Sequence, residues 1–261
     1  MTSNKPSREL SIEETMSRTF DLYLRNFVLF FVPMLAVTLI SGYFTWLVSG
    51  YIAIIPPLST QPSFDEAMEW FNRYVPTVLG ALFALTFVSW IMSTVAAGIV
   101  VRSASDTIEK GSATLRRSFT SIVGRLPYLL ASGFIVSVLT VFGLVALIVP
   151  GIIIILMFSL TTQAVVTENA GIAGSLSRSR RLVSNRWLKT FALILIFGLI
   201  HVFVIFIAAL IALPFGEFSW IASNVIASFA APLVPISMTL HYYSMLAREQ
   251  QQNVPPPPPM F

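Results

Sequence analysis

The sequence predicts an all-α polytopic membrane protein: six transmembrane helices in three hairpins, each hairpin preceded by a cytoplasmic amphipathic helix at the membrane interface. Three observations lead there. The chain is 56% hydrophobic and only 11% charged, against about 45–50% and about 25% in ordinary soluble domains. Its apolar residues are gathered into charge-free runs at 27–55, 75–101, 127–167, 190–216 and 218–247, which are too long for the elements of a soluble core. A polar phrase also recurs, LRRS at 115–118 and LSRS at 176–179, each followed by an arginine (Arg125, Arg186) and then by an apolar run.

The crossings follow from length. A bilayer core of ~30 Å needs about 20 helical residues, so 127–167 holds two helices. Val149-Pro150-Gly151 is the expected turn, because proline lacks a donor and glycine tolerates turn dihedrals. That places helices near 127–148 and 151–167 and brings the total to six. With both termini cytoplasmic, 15 of the 16 Lys and Arg fall on the inner side and only Arg73 outside, as the positive-inside bias requires. A cell-membrane location follows. The net charge of +4 and pI near 9.6 then describe a basic cytoplasmic face rather than a nucleic-acid binder. The polar first 26 residues lack the apolar core of a signal peptide and are expected to be retained inside. Without cysteine, disulfides, thiolate metal sites and cysteine nucleophiles are excluded.

Aligning Leu115 with Leu176 matches Arg117 to Arg178, Ser118 to Ser179 and Arg125 to Arg186, and Met16, Arg18 and Thr19 give a third copy with Arg25 and Asn26 at the later arginine's place. A proline follows each outgoing run: Pro56, Pro150 and Pro214. The expected units are about 10–101, 109–167 and 170–247, forming one membrane domain over 1–247, with 248–261 a disordered Pro-rich cytoplasmic tail in which 255–259 is polyproline. The short helices carry apolar residues at helical spacing: Ile12, Met16, Phe20, Tyr23 and Phe27; Leu115, Phe119, Ile122 and Leu126; Ile172, Leu176, Val183 and Trp187. Such helices suit the headgroup plane, apolar side down. Arg18, Arg25, Arg117, Arg125, Arg178, Arg181 and Arg186 are therefore the candidates for binding anionic headgroups or a partner protein, although orientation alone also calls for basic residues there.

The stretch 148–187, IVPGIIIILMFSLTTQAVVTENAGIAGSLSRSRRLVSNRW, resembles the signature of the multi-pass family that includes the membrane domain of glycerophosphoryl diester phosphodiesterase. The Pro150-Gly151 pair, Glu168, Ser179, Leu182, Asn185 and Trp187 carry the likeness, and SIEETMSRTFDLYLRNF at 11–27 is similar to that family's opening. The resemblance implies a six-helix membrane module, sometimes fused to a catalytic barrel and often alone, without established activity. No stretch of these 261 residues has room for the barrel, so phosphodiesterase activity is not carried over.

Polar residues inside the runs are few. His201 and Gln163 are read as helix-packing groups that find interhelical hydrogen bonds, and His241 as interfacial. Glu168 ends a helix, where the dipole disfavours a carboxylate, so it is expected to clamp the following basic helix through Arg178, Arg181 or Arg186. The outer stretch 56–76 should form a short interfacial helix capped by Ser63. No metal-ligand pair, phosphate loop or nucleophile elbow is present, so neither cofactor nor enzymatic activity is expected. The expected function is a non-enzymatic membrane protein organising lipids or partners through its basic helices; the Pro-rich tail is expected to be a spacer, with docking to an aromatic groove of a protein partner as the alternative. The alternative is a transporter or channel for a neutral or lipidic substrate, with Pro33, Pro76, Pro232 and Pro235 breaking helices around a cavity.

Overall fold

A computed structural model describes residues 5–252, and among these every regular element is a helix. Five helical segments are long and apolar enough to cross a membrane: Phe27–Ala53, Phe64–Lys110, Leu126–Ala146, Ile148–Glu168 and Trp187–Ala227.

The first helix, α1 (Ile12–Arg25), opens with a capping box in which Ser11 accepts from the Glu14 amide while Glu14 reaches back to the Ser11 amide. These bonds satisfy donors that a helix start leaves orphaned. The chain then kinks at Asn26 into α2 (Phe27–Ala53). Ser63 and Glu66 form a second capping box at the start of α3 (Phe64–Lys110). The outer interfacial helix expected after Ser63 is therefore the first part of one continuous helix. Pro76 lies within α3, as Pro33 lies within α2, and neither ends its helix. At 47 residues, α3 is ~70 Å long. That is twice a bilayer core, and its charged residues lie at the two ends, Asp65 to Arg73 and Arg102 to Lys110.

After α4 (Leu115–Val123) come α5 (Leu126–Ala146) and α6 (Ile148–Phe158). The reversal between them lies at Leu147, whose backbone is extended, and not at Val149-Pro150-Gly151. Pro150 sits in the first turn of α6, where its missing N–H removes a donor that would have no helical partner anyway. Gly151 serves the close approach of the two helices instead: a Cβ there would lie 2.8 Å from the Leu144 backbone nitrogen, and one on Gly143 would lie 2.9 Å from the Gly151 Cα.

The helix expected at 151–167 is broken at Ser159-Leu160, and α7 (Thr161–Glu168) follows the break. Next are α8 (Ile172–Val183) and α9 (Trp187–Ala212). A 3-10 turn at Leu213–Phe218, with Gly216 at φ 55°, reverses the chain into α10 (Ser219–Ala227), which packs back against α9. The run 218–247 is not one helix either. The turn 228–232 ends α10, and α11 (Leu233–Gln252) begins after Pro232. Helix α11 also corrects the tail: 248–252, expected to be disordered, is helical, and the polyproline stretch lies outside the described residues.

Packing repeats around the molecule. Helix α2 lies against α3, α5 against α6 and α9 against α10; between these pairs α3 meets α5, α6 meets α9 and α10 meets α2. Each short basic helix lies on an element outside the pair that follows it: α1 on α11, α4 on α3, and α8 on α7. The three N-caps that open α2, α5 and α9 share a conformation, with φ/ψ of −127/38° at Asn26, −111/0° at Arg125 and −134/28° at Arg186. Each of the three donates its amide to the carbonyl three residues back.

The core gathers at one end of the apolar spans. Tyr23, Phe30, Val100, Ile108, Leu182, Leu193, Phe197, Ile236 and Tyr242 are buried together at the end of the bundle where the basic helices gather, whereas the middle and far parts of α2, α3, α5 and α9 leave large apolar side chains exposed. Water would not tolerate so broad an apolar surface, whereas hydrocarbon does.

Candidate functional site

The basic end is built around α11. Its residues Ser237, Thr239, His241 and Ser244 are fully buried, and its polar groups reach three carboxylates that each precede a short basic helix. Tyr242 donates to Glu168, Tyr243 donates to Glu109 at 3.0 Å, and Arg248 stands 3.6 Å from Glu9. The Ser244 hydroxyl accepts from the Leu10 amide at 2.8 Å. His241, expected at the interface, is enclosed, with Nε2 2.9 Å from the Thr190 hydroxyl. A buried polar helix is stable only when most of its donors and acceptors are met in this way; Nδ1 of His241 is buried without a partner.

The repeated serine or threonine has a clear role. Thr19, Ser118 and Ser179 are all fully buried. Ser179 spans the break in the fourth apolar helix, donating to the Met157 carbonyl at 2.8 Å and accepting from the Leu160 amide at 3.1 Å. Ser103 donates to Ser118 at 2.9 Å, joining α3 to α4. Thr19 donates to the Thr15 carbonyl within α1.

Four of the seven candidate arginines are held by the protein itself. Arg178 donates to Glu168 at 2.8 Å and to Glu249 at 2.8 Å. Burial alone would lower its pKa, but these two carboxylates raise it. Arg181 contacts Glu249 at 3.2 Å. Arg186 shares Glu9 with Lys189, at 2.9 and 2.8 Å. Partial burial would raise the Glu9 pKa, yet the bonds from Arg186 and Lys189 prevail and bring it to about 2. Arg125 donates to the carbonyls of Val165 and Val166 and so satisfies the C-terminal turn of α7, where the last carbonyls lack helical partners. Its own pKa is lowered, first by burial and then by Arg102. Of the three cations expected for Glu168, Arg178 is the one that meets it.

The other three candidates, Arg18, Arg25 and Arg117, are exposed, and their side chains make no hydrogen bond or ion pair with a described residue. The same holds for Arg116 and Arg180, which sequence reasoning left out although each adjoins a candidate position. The apolar faces of α1 and α8 are turned into the protein: Ile12, Met16, Phe20 and Trp187 pack on the main core, and Leu182 and Val183 belong to it. On α4, Ile122 is buried and Leu115 packs inward, while Phe119 and Val123 stay about half exposed. His201 and Gln163 lack the expected bonds, since His201 Nδ1 and Gln163 Oε1 are buried without a partner. No group of three or more His, Cys, Asp or Glu suited to a metal ion occurs among the described residues.

Neither a curated protein nor a solved structure matches the chain. One family model does, covering residues 65–242, which run from the first turn of α3 to the middle of α11. The chain belongs to the family described as Domain of unknown function (DUF7847).

Proposed function

We propose that this is a multi-pass protein of the cell membrane with six crossings in three hairpins and both termini cytoplasmic, acting without catalysis to bind and organise anionic lipids at the inner leaflet. The sixth crossing is α10 continued by the first turns of α11. The resemblance to the phosphodiesterase membrane domain agrees with such a six-helix module. Support for an origin in three repeated units comes from the shared N-cap conformation of Asn26, Arg125 and Arg186 and from the burial of Thr19, Ser118 and Ser179 at one position of the repeat.

One observation carries the lipid reading. Five arginines, Arg18, Arg25, Arg116, Arg117 and Arg180, stand exposed on the three short helices with no side-chain partner among the described residues, while Arg178, Arg181 and Arg186 are paired with carboxylates. Attraction of such side chains to an anionic leaflet is worth about 1 kcal/mol each. The test is native mass spectrometry of the protein released from nanodiscs of mixed phosphatidylglycerol and phosphatidylcholine. Retained lipid should be enriched in phosphatidylglycerol relative to the disc; retained lipid that mirrors the disc would refute the reading. The orientation is tested separately by single cysteines at Ser121 and Ser184 in this cysteine-free chain. Both should resist a membrane-impermeant maleimide in intact cells and react after lysis.

A further inference from the structure

At the junction of α2, α3 and α4 lies an apolar groove of about 430 Å³. Pro33 and Ile40 form one wall, Val95 and Ile99 the other, and Phe119 closes one side. From Val32 to Ile40 the lining covers ~12 Å of helix rise, beginning five residues into α2. The groove thus runs from the basic end into the apolar part of the bundle. One charged residue borders it, Arg116 of α4, and Arg116 also belongs to the open polar surface formed with Thr114, Arg117 and Thr120. The carboxylates nearest in sequence are engaged elsewhere: Asp106 with Arg102 and Lys110, Glu109 with Lys5 and Tyr243. Two unneutralised cations therefore stand at the mouth of a slot that offers only hydrocarbon contact.

We propose that this groove holds one acyl chain of an anionic glycerophospholipid whose phosphate is bound by Arg116 and Arg117. The proposal rests on the reading of the basic end as a lipid surface and assigns it a defined site and ligand. A zwitterionic lipid fills the slot but brings its own cation to the arginines. A water-soluble phosphate meets the arginines but leaves the groove empty. Only a molecule with both parts matches both surfaces, since the groove gives an acyl chain close van der Waals packing and the arginines add charge-assisted bonds to phosphate oxygens.

The test uses the full chain in detergent, titrated with dioleoyl phosphatidylglycerol or dioleoyl phosphatidylcholine and read by native mass spectrometry. R116Q/R117Q should weaken the first phosphatidylglycerol bound by about thirtyfold, the worth of two basic side chains at an anionic surface, and leave phosphatidylcholine unchanged. R116K/R117K should recover much of the loss. A36F, which narrows the groove from the exposed Ala36, should weaken both lipids, and glycerol 3-phosphate should not displace either. Unchanged phosphatidylglycerol binding in R116Q/R117Q overturns the site. If R18Q/R25Q then abolishes the preference, the lipid reading of the basic end stands without this site. Full displacement by glycerol 3-phosphate overturns the acyl-chain assignment. A wild-type protein with no preference between the two lipids overturns both the site and the wider reading.

Discussion

Replacing Ser179 with alanine removes one oxygen from the place where the fourth apolar helix breaks. In the wild type that oxygen accepts from the buried Leu160 amide and donates to the Met157 carbonyl. Alanine leaves the amide enclosed without an acceptor, because both Leu160 and Ser179 are inaccessible to water. An orphaned buried donor costs about 1–3 kcal/mol, so ~2 kcal/mol is the expected loss. For a domain of this size each kcal/mol moves Tm by about 2–4 °C, which puts the fall at about 4–8 °C. Ser175 is the control: it is equally buried and on the same helix, but its hydroxyl donates only to the Ile172 carbonyl of its own helix. Ser175→Ala should cost nothing measurable, since alanine has the higher helix propensity. Thermal unfolding in one detergent, followed by circular dichroism, measures both variants. Equal shifts for the two, or a Ser179→Ala shift below about 1 °C, would refute the assignment of Ser179 as the bridge across the break.

Glu168→Gln should lower stability by ~1 kcal/mol through the weakened Arg178 contact. The gap from wild type should narrow as salt rises, and no change at any salt concentration rules out the clamp. Glu9→Gln carries a pH signature. The folded carboxyl titrates at about 2 against an ordinary 4.5, so its stabilisation is complete above about pH 4.5 and lost as pH falls toward 2. An unscreened shift of that size is ~3 kcal/mol, and with Arg186 part exposed about 1–2 kcal/mol remains. The Tm difference between Glu9→Gln and wild type should therefore hold from pH 7 to 5 and shrink below 4.5; a difference flat down to pH 3 contradicts the assignment. Gly151→Ala should destabilise by about 1–3 kcal/mol, because its Cβ meets the backbone of Leu144. Gly50→Ala, which faces open space, should be neutral in the same melt.

The helical class and the apolar runs were legible because hydrophobic length and charge depletion are local properties. So was the cap at Ser63, since Ser63 and Glu66 have the spacing of a capping box. The breaks were less visible. Within a continuous apolar run nothing in the periodicity marks where the chain bends, and Pro150 pointed to a turn three residues beyond the real one because proline is at home in a helix's first turn. Ser159-Leu160 contains no breaker at all; the break is sustained by a serine 20 residues downstream. His241 was misplaced for a related reason. It lies near the end of an apolar run, where an interface is expected, and the groups that enclose α11's polar residues, Leu10, Glu109, Glu168 and Thr190, lie from 51 to 234 positions away.

The same non-locality separates the arginines. From sequence, Arg117 and Arg178 occupy one position of one repeated phrase and invite one role. In the structure Arg178 lies between two carboxylates, one of them on α11, and an arginine so enclosed is largely lost to outside ligands because leaving would strand Glu168 without its cation and leave Glu249 to Arg181 alone. Arg117 meets no carboxylate among the described residues, since α4 lies on α3. A shared motif has thus been put to two uses. On α8, where Arg178 reaches Glu249 of α11, that charge locks the fold. On α4, over an apolar groove, the same charge is left facing the surroundings, and that flank is the place to look for what this protein binds.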